Sequence, residues 1–170
     1  MGKEKIRIGI DLGTTTSSVF LLKNDKPQGV RFSENEDSNF IHSILGIDSN
    51  SNKITVLDSG DAKASPGECV EQIKRKMGTR QKVLMGGEEY LPQEVSAEIL
   101  KYLKSNAEAF FGIDNIENAV VTVPAMWKSN KRSATKKAGE LAGFKNVTLL
   151  NEPAAAALAY TLDKKDEEGF

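Results

Sequence analysis

An aspartate carried to the end of a short apolar strand, followed by a glycine and a run of hydroxyls, can do phosphate chemistry. The chain has that order in Ile8-Gly9-Ile10-Asp11-Leu12-Gly13-Thr14-Thr15-Thr16-Ser17-Ser18, before apolar character resumes at Val19-Phe20-Leu21-Leu22. Gly13 permits a tight turn and a close approach of the backbone to an anion. The amides and hydroxyls of Thr14, Thr15 and Thr16 can donate to phosphate oxygens, as in other anion-binding concavities. Asp11 would lie too near those phosphates to bind them itself, and suits a Mg²⁺ whose water shell it orders. Taken alone, the segment reads equally well as a plain hairpin turn, because glycine and threonine are frequent in turns. Neither Gly-x-x-x-x-Gly-Lys-Ser/Thr nor Gly-x-Gly-x-x-Gly occurs, so a hairpin grip is the one phosphate device the sequence offers.

Composition narrows the chemistry further. With 23 Lys+Arg against 24 Asp+Glu, the net charge of -1 gives no bulk attraction to nucleic acid. The local run Lys128-Ser-Asn-Lys131-Arg132, with Lys136-Lys137, reads as a solvated helix face. The single cysteine, Cys69, cannot form an internal disulfide, and one Cys with one His, His42, excludes the usual zinc ligand sets. His42 lies in a polar stretch and reads as a surface or turn residue. No signal-peptide core and no run near the ~20 apolar residues that span a bilayer is present, so the expectation is a cytoplasmic protein without a membrane partner.

The elements that must position these residues follow from periodicity and punctuation. Residues 7–12, 18–22 and 29–32 read as three strands joined by short turns, an antiparallel meander. Residues 33–43 read as loop, and 44–47 and 54–57 as short strands. A helix is expected from Ser65 to Met77, with Pro66 in its first turn and Gly78 past its end. Pro92 opens a stronger helix, in which Val95, Ile99, Leu103, Ala107 and Phe110 recur at helical spacing before Gly112. A buried strand over 118–123, a helix from Ser129 to Ala142, a second buried strand over 147–150 and a helix from Pro153 to Leu162 complete the chain. The charged tail 163–169 is expected to fray. The sum is an α/β fold: one mixed sheet with helices on its faces.

Four segments carry a resemblance. Residues 8–19 resemble the first phosphate loop of the actin-like ATPase superfamily. Val120-Val-Thr-Val-Pro124-Ala125, Arg132-x-Ala134-Thr135-x-x-Ala138-Gly139-x-x-Ala142-Gly143 and Asn151-Glu152-Pro153-Ala154-Ala155-Ala156-Ala157-Leu158-Ala159-Tyr160 resemble the DnaK-type, seventy-kilodalton heat-shock chaperones, in their ATPase domain. Order and spacing match over nearly the whole chain except about 79–91. The resemblance implies a ribonuclease H-like lobe of the actin-like kind, with a mixed five-stranded sheet and helices on both faces. It places Asp11, Thr14 and Thr15 in the first phosphate loop, with Gly13, Thr14, Thr15 and Thr16 on the phosphates and Asp11 catalytic through the metal. Lys74, in Ile73-Lys74-Arg75-Lys76-Met77-Gly78, matches the catalytic lysine that contacts phosphate and the attacking water. Glu152 matches the glutamate beside Mg²⁺ and that water, so Asp11 and Glu152 would hold the metal mostly through water. Pro124 and Arg132 match an interdomain switch proline and its partner arginine. The cofactors implied are ATP or ADP with Mg²⁺, and K⁺ is allowed. The partners implied are unfolded polypeptide clients, with a J-domain co-chaperone and an exchange factor for the full-length protein.

The departures also carry expectations. Met126-Trp127 stand where the family usually has two aromatics, and Ile41-His42-Ser43 where it usually has Thr-Pro-Ser. About 17 residues separate Lys74 from Pro92, too few for the β-rich insert most members carry there. A second loop of the form Asp-x-Gly-Gly-Gly-Thr does not occur, and Asp58-Ser59-Gly60 lacks the flanking strand to replace it. Residues 1–170 are therefore expected to be a first lobe, without the second lobe or the peptide-binding domain, and to hydrolyse no ATP alone. A sugar- or acetate-kinase-like enzyme or an actin-like polymer subunit would share the first loop. The Asn151–Tyr160 segment argues for the chaperone instead.

Overall fold

The computed structural model describes residues 6–23, 26–32, 38–48, 51, 53–57 and 69–167. Strands β1 (Arg7–Leu12), β2 (Thr16–Lys23), β3 (Lys26–Gly29), β4 (Phe40–His42), β9 (Asn118–Val123) and β10 (Asn146–Asn151) make one six-stranded sheet. Its path is β10-β9-β1-β2-β3, and β4 pairs with the first half of β2 while β3 pairs with the second. β1, β9 and β10 run parallel; β2 is antiparallel to β1, β3 and β4. Two small hairpins, β5 (Leu45–Ile47) with β6 (Ile54–Val56) and β7 (Val83–Met85) with β8 (Glu88–Tyr90), stand outside it. The helices are α1 (Pro92–Phe111), α2 (Ser129–Leu141) and α3 (Glu152–Glu167).

Strand alternation decides which face becomes core. Ile8, Ile10 and Leu12 of β1 and Ala119, Val121 and Val123 of β9 are buried. They join Val95, Ile99, Leu100, Leu103 and Ala107 of α1 and Ala134 and Ala138 of α2 in the core, all but Val123 in one contiguous cluster. Because side chains alternate along a strand, Asp11 is left on the opposite, exposed face. α1 starts with Pro92 in its first turn, Glu94 accepting from the Leu91 amide at 2.7 Å, and ends on Gly112 at φ 64°. It packs on α2, β2, β6 and the segment that bears Lys74.

Several elements differ from the sequence expectation. β3 lies three residues earlier than the expected 29–32; Pro27 is tolerated because β3 is an edge strand, and Val30 only donates its amide to Val19. The expected helix over 65–77 does not exist in its described part. Val70 is extended and bridges Leu45, Gln72 has φ 53°, and only Ile73–Lys76 coil, as a single 3₁₀ turn. Pro66 and Asp58-Ser59-Gly60 lie outside the described residues. β10 is half-exposed rather than buried, because it is the sheet edge. α3 runs on through the charged residues expected to fray, and its Ala154, Ala156 and Ala157 are exposed. The stretch expected as loop holds β4, and Gly86-Gly87, both at positive φ, turn the β7–β8 hairpin.

Candidate functional site

The parallel strands bring three chain segments to one end of the sheet. β1 ends in the Gly13-Thr14-Thr15 turn, β9 leads into Pro124, and β10 leads directly into Glu152 at the head of α3. From β9 the chain moves outward to β10, and from β1 it moves the other way to β2. Such a divergence at strand carboxyl ends opens a crevice.

The β1–β2 turn is braced from beneath. A Cβ on Gly13 would lie 1.9 Å from the Thr16 carbonyl oxygen, so no other residue fits without moving the turn. The Gly13 amide donates to Ser17 Oγ at 3.2 Å, and Ser17 Oγ contacts Ser43 Oγ at 2.8 Å. The Ser43 amide donates to the Thr15 carbonyl at 2.7 Å. Ser17 and Ser43 are both buried, so two serines hold the loop's shape while Gly13 and Thr14 face the cleft. Thr15 is exposed, and Thr16 is already part of β2, opposite His42. Neither lines the cleft. His42 is a strand residue with its ring edge-on to Phe40 at 6.1 Å.

Lys74 reaches the same place from the 3₁₀ turn. Ile73 and Met77 on either side of it are in the core, and Ser96 Oγ contacts Met77 Sδ at 3.3 Å. Gly78 follows at φ 73°; a Cβ there would come within 2.8 Å of the Lys131 backbone nitrogen. The Asn130 side-chain amide donates to the Gly78 carbonyl at 3.1 Å, tying the turn to the start of α2. So fixed, the Lys74 ammonium lies 2.7 Å from Glu152 Oε1, with the lysine side chain 8 % exposed and the glutamate 41 %. Asp11 Oδ1 accepts from Thr122 Oγ1 at 2.6 Å, across the β1–β9 pair, which orients the carboxylate at the cleft edge.

Asp11, Gly13, Thr14, Lys74, Pro124 and Glu152 thus share one cleft of about 630 Å³ with Arg75, Trp127 and Lys131. Arg132 does not enter it. Its Nη1 donates to Asn151 Oδ1 at 2.9 Å, one residue before Glu152, and it lines a separate groove with Ser129, Ser133 and Lys136 against β10. The sequence reading missed four members of the site. Thr122 could have been found from the parallel register, which sets it beside Asp11. Trp127 and Lys131 are four residues apart at the head of α2, and Arg75 adjoins Lys74 in sequence. The expected solvated face holds for Lys128, Lys136 and Lys137, which are exposed, and fails for Lys131 and Arg132. Among the described residues no helix is long and apolar enough to cross a membrane.

The chain is similar to known proteins along its length. The family model of the Hsp70 protein matches residues 60–170. The chaperone protein DnaK of Methanothermobacter thermautotrophicus is 43 % identical over 169 residues, which is 98 % of this chain and 28 % of that protein. The chain thus spans little more than a quarter of the length of this curated relative. A mixed sheet with three helices, a glycine–threonine turn between its first two strands and this degree of identity lead to one assignment: the chain belongs to the Hsp70 family, with the actin-like ATPase lobe that the family implies.

Proposed function

We propose that residues 1–170 form the first lobe, and so one wall, of the nucleotide cleft in a chaperone ATPase that couples ATP hydrolysis to the binding of unfolded polypeptides. The convergence of Asp11, Gly13, Thr14, Lys74, Pro124 and Glu152 on one cleft, from four separate chain segments, supports this reading most directly. Gly13 and Thr14 would receive the phosphate tail, with Thr15 and Thr16 contributing only through the turn's shape. Lys74, a buried ammonium, would stabilise charge on the transferring phosphoryl group; Glu152 holds it in place and can orient the attacking water.

Two carboxylates, Asp11 and Glu152, face the cleft, and among the described residues no cluster of three or more His, Cys, Asp or Glu could cage a metal. That donor set fits Mg²⁺ held through water and phosphate oxygens. Bound there, the ion would neutralise phosphate charge. The Arg132–Asn151 hydrogen bond connects α2 to the residue preceding Glu152. That link supports a role for Arg132, with Pro124, in passing the nucleotide state to a peptide-binding domain. A J-domain co-chaperone and an exchange factor would act on the longer protein. No feature among the described residues favours the kinase-like or polymerising reading.

In a protein carrying both lobes, Lys74→Ala should lower ATP turnover by about 10²–10³-fold, the loss typical of one preorganised charge-stabilising donor. Single-turnover hydrolysis measures this, and full activity in the variant would overturn the assignment of Lys74. Residues 1–170 alone should show no micromolar affinity for Mg-ATP by calorimetry, and micromolar binding would overturn the one-wall reading.

A further inference from the structure

We infer that Lys131 is a second phosphate-binding cation of the cleft, held at rest on the indole of Trp127. The inference rests on the proposed reading of the cleft as a nucleotide site. Lys131 lines the cleft, and its Nζ lies 5.3 Å from the Trp127 ring centroid. Lys74 Nζ lies 5.7 Å from the same centroid. The two ammoniums differ in their other commitments. Lys74 is ion-paired with Glu152 at 2.7 Å, so an incoming phosphate shares its charge with a carboxylate. Among the described residues no carboxylate pairs with Lys131; its charge meets only the indole, an electrostatic attraction weaker than a phosphate oxygen offers.

Placement favours the same role. Gly78 packs against the Lys131 backbone at a separation only a glycine permits, and Asn130 bonds the Gly78 carbonyl. The head of α2 is therefore locked to the turn that bears Lys74, and both lysines keep a fixed base beside the cleft. Asn130 and Lys131 lie in the first turn of a 13-residue helix, whose dipole adds to the positive field at this point. Lys74, Arg75 and Lys131 line the cleft together with Asp11 and Glu152, a surplus of one positive charge suited to a polyphosphate. Anion binding should draw Lys131 off the ring, and Trp127 is the chain's only tryptophan, so its emission reports the event directly.

The test titrates residues 1–170 with tripolyphosphate, with and without Mg²⁺, at constant ionic strength, following Trp127 emission and ³¹P line width. The wild-type chain should titrate weakly but saturably. Lys131→Gln should weaken binding about tenfold, the loss expected for one charge-assisted hydrogen bond, and Lys131→Arg should restore most of it. Lys137→Gln, on an exposed residue of the same helix, should titrate as wild type. Unchanged affinity in Lys131→Gln, with binding lost in Lys74→Ala, would sink the role of Lys131 and leave the phosphate site standing. Equal losses in Lys131→Gln and Lys131→Arg, or in Lys137→Gln, would also overturn it, as packing or bulk charge respectively. Absence of any wild-type titration would overturn the phosphate reading of the cleft, and this inference with it.

Discussion

Two turns meet at the cleft, and they are held in opposite ways. The β1–β2 turn is fixed mostly by its own neighbours, a glycine that admits no Cβ and Ser17 four residues on, with Ser43, just past the strand that pairs with β2, as a distant brace. The Lys74 turn has local backbone bonds, from Arg75 to Gln72 and from Met77 to Lys74, but depends on distant contacts for its place. It begins at Gln72 in a left-handed conformation and makes one 3₁₀ turn. Its position comes from Met77 in the core, from Gly78 against α2 and from Lys74 on Glu152. The first turn can therefore be read from a dozen residues. The second exists only because the rest of the domain has assembled around it.

Substitutions can break that contrast. Met77→Ala should have the largest effect, because Met77 is fully buried; a loss of about 3–4 kcal/mol in urea unfolding is expected for a buried methionine truncated to alanine. If the contrast holds, this change loosens Lys74 as well as the core, and tripolyphosphate binding falls with stability. Gly78→Ala comes next. Positive φ and a contact of 2.8 Å with backbone should together cost about 2–3 kcal/mol. Its specific signature is faster hydrogen exchange in the first turn of α2, where the amides lose their packed neighbour. Ser43→Ala should have the smallest effect, about 1.5 kcal/mol, from a buried Ser17 hydroxyl left short of a partner. It should leave the Lys74–Glu152 pair intact, which NMR of the lysine ammonium can check. A Ser43→Ala loss as large as that of Met77→Ala would mean that the first turn is not locally supported.

The same contrast explains what was legible in the sequence. β1, β2, α1, β9 and α2 follow their periodicities, and each begins or ends near the residue that punctuation indicates. The Asp11 and Gly13-Thr14 part of the site came with them, because it is attached to those strand ends. The expected helix over 65–77 failed in its described part because Gly78, genuine helix punctuation, is used here for something else. Gly78 is needed for close approach to Lys131, and nothing local announces that. Lys131 and Arg132 were misread for the related reason that a basic run is usually solvated, and only the tertiary fold turns these two members of it inward. Three threonines look alike in sequence, but the third begins β2 and does not line the cleft. Gly86-Gly87 was an available hairpin signal that the reading left unused.

The cleft's contacts also have a history in time. Lys74 and Glu152 are 78 residues apart, and Asp11 and Thr122 are 111 apart. At translation rates of about 5–20 residues per second, β1 waits roughly 5–20 s for its parallel partner β9 to be made. Until then its apolar residues can pair only with the hairpin that follows. The β1–β2 turn can therefore form early in synthesis, while the wall facing it closes late, so a nascent chain carries a shaped but unbacked loop. Contacts of such long sequence separation are slow to form. A protein in the family of chaperones thus has, in its own cleft, the feature that makes a folding chain most exposed.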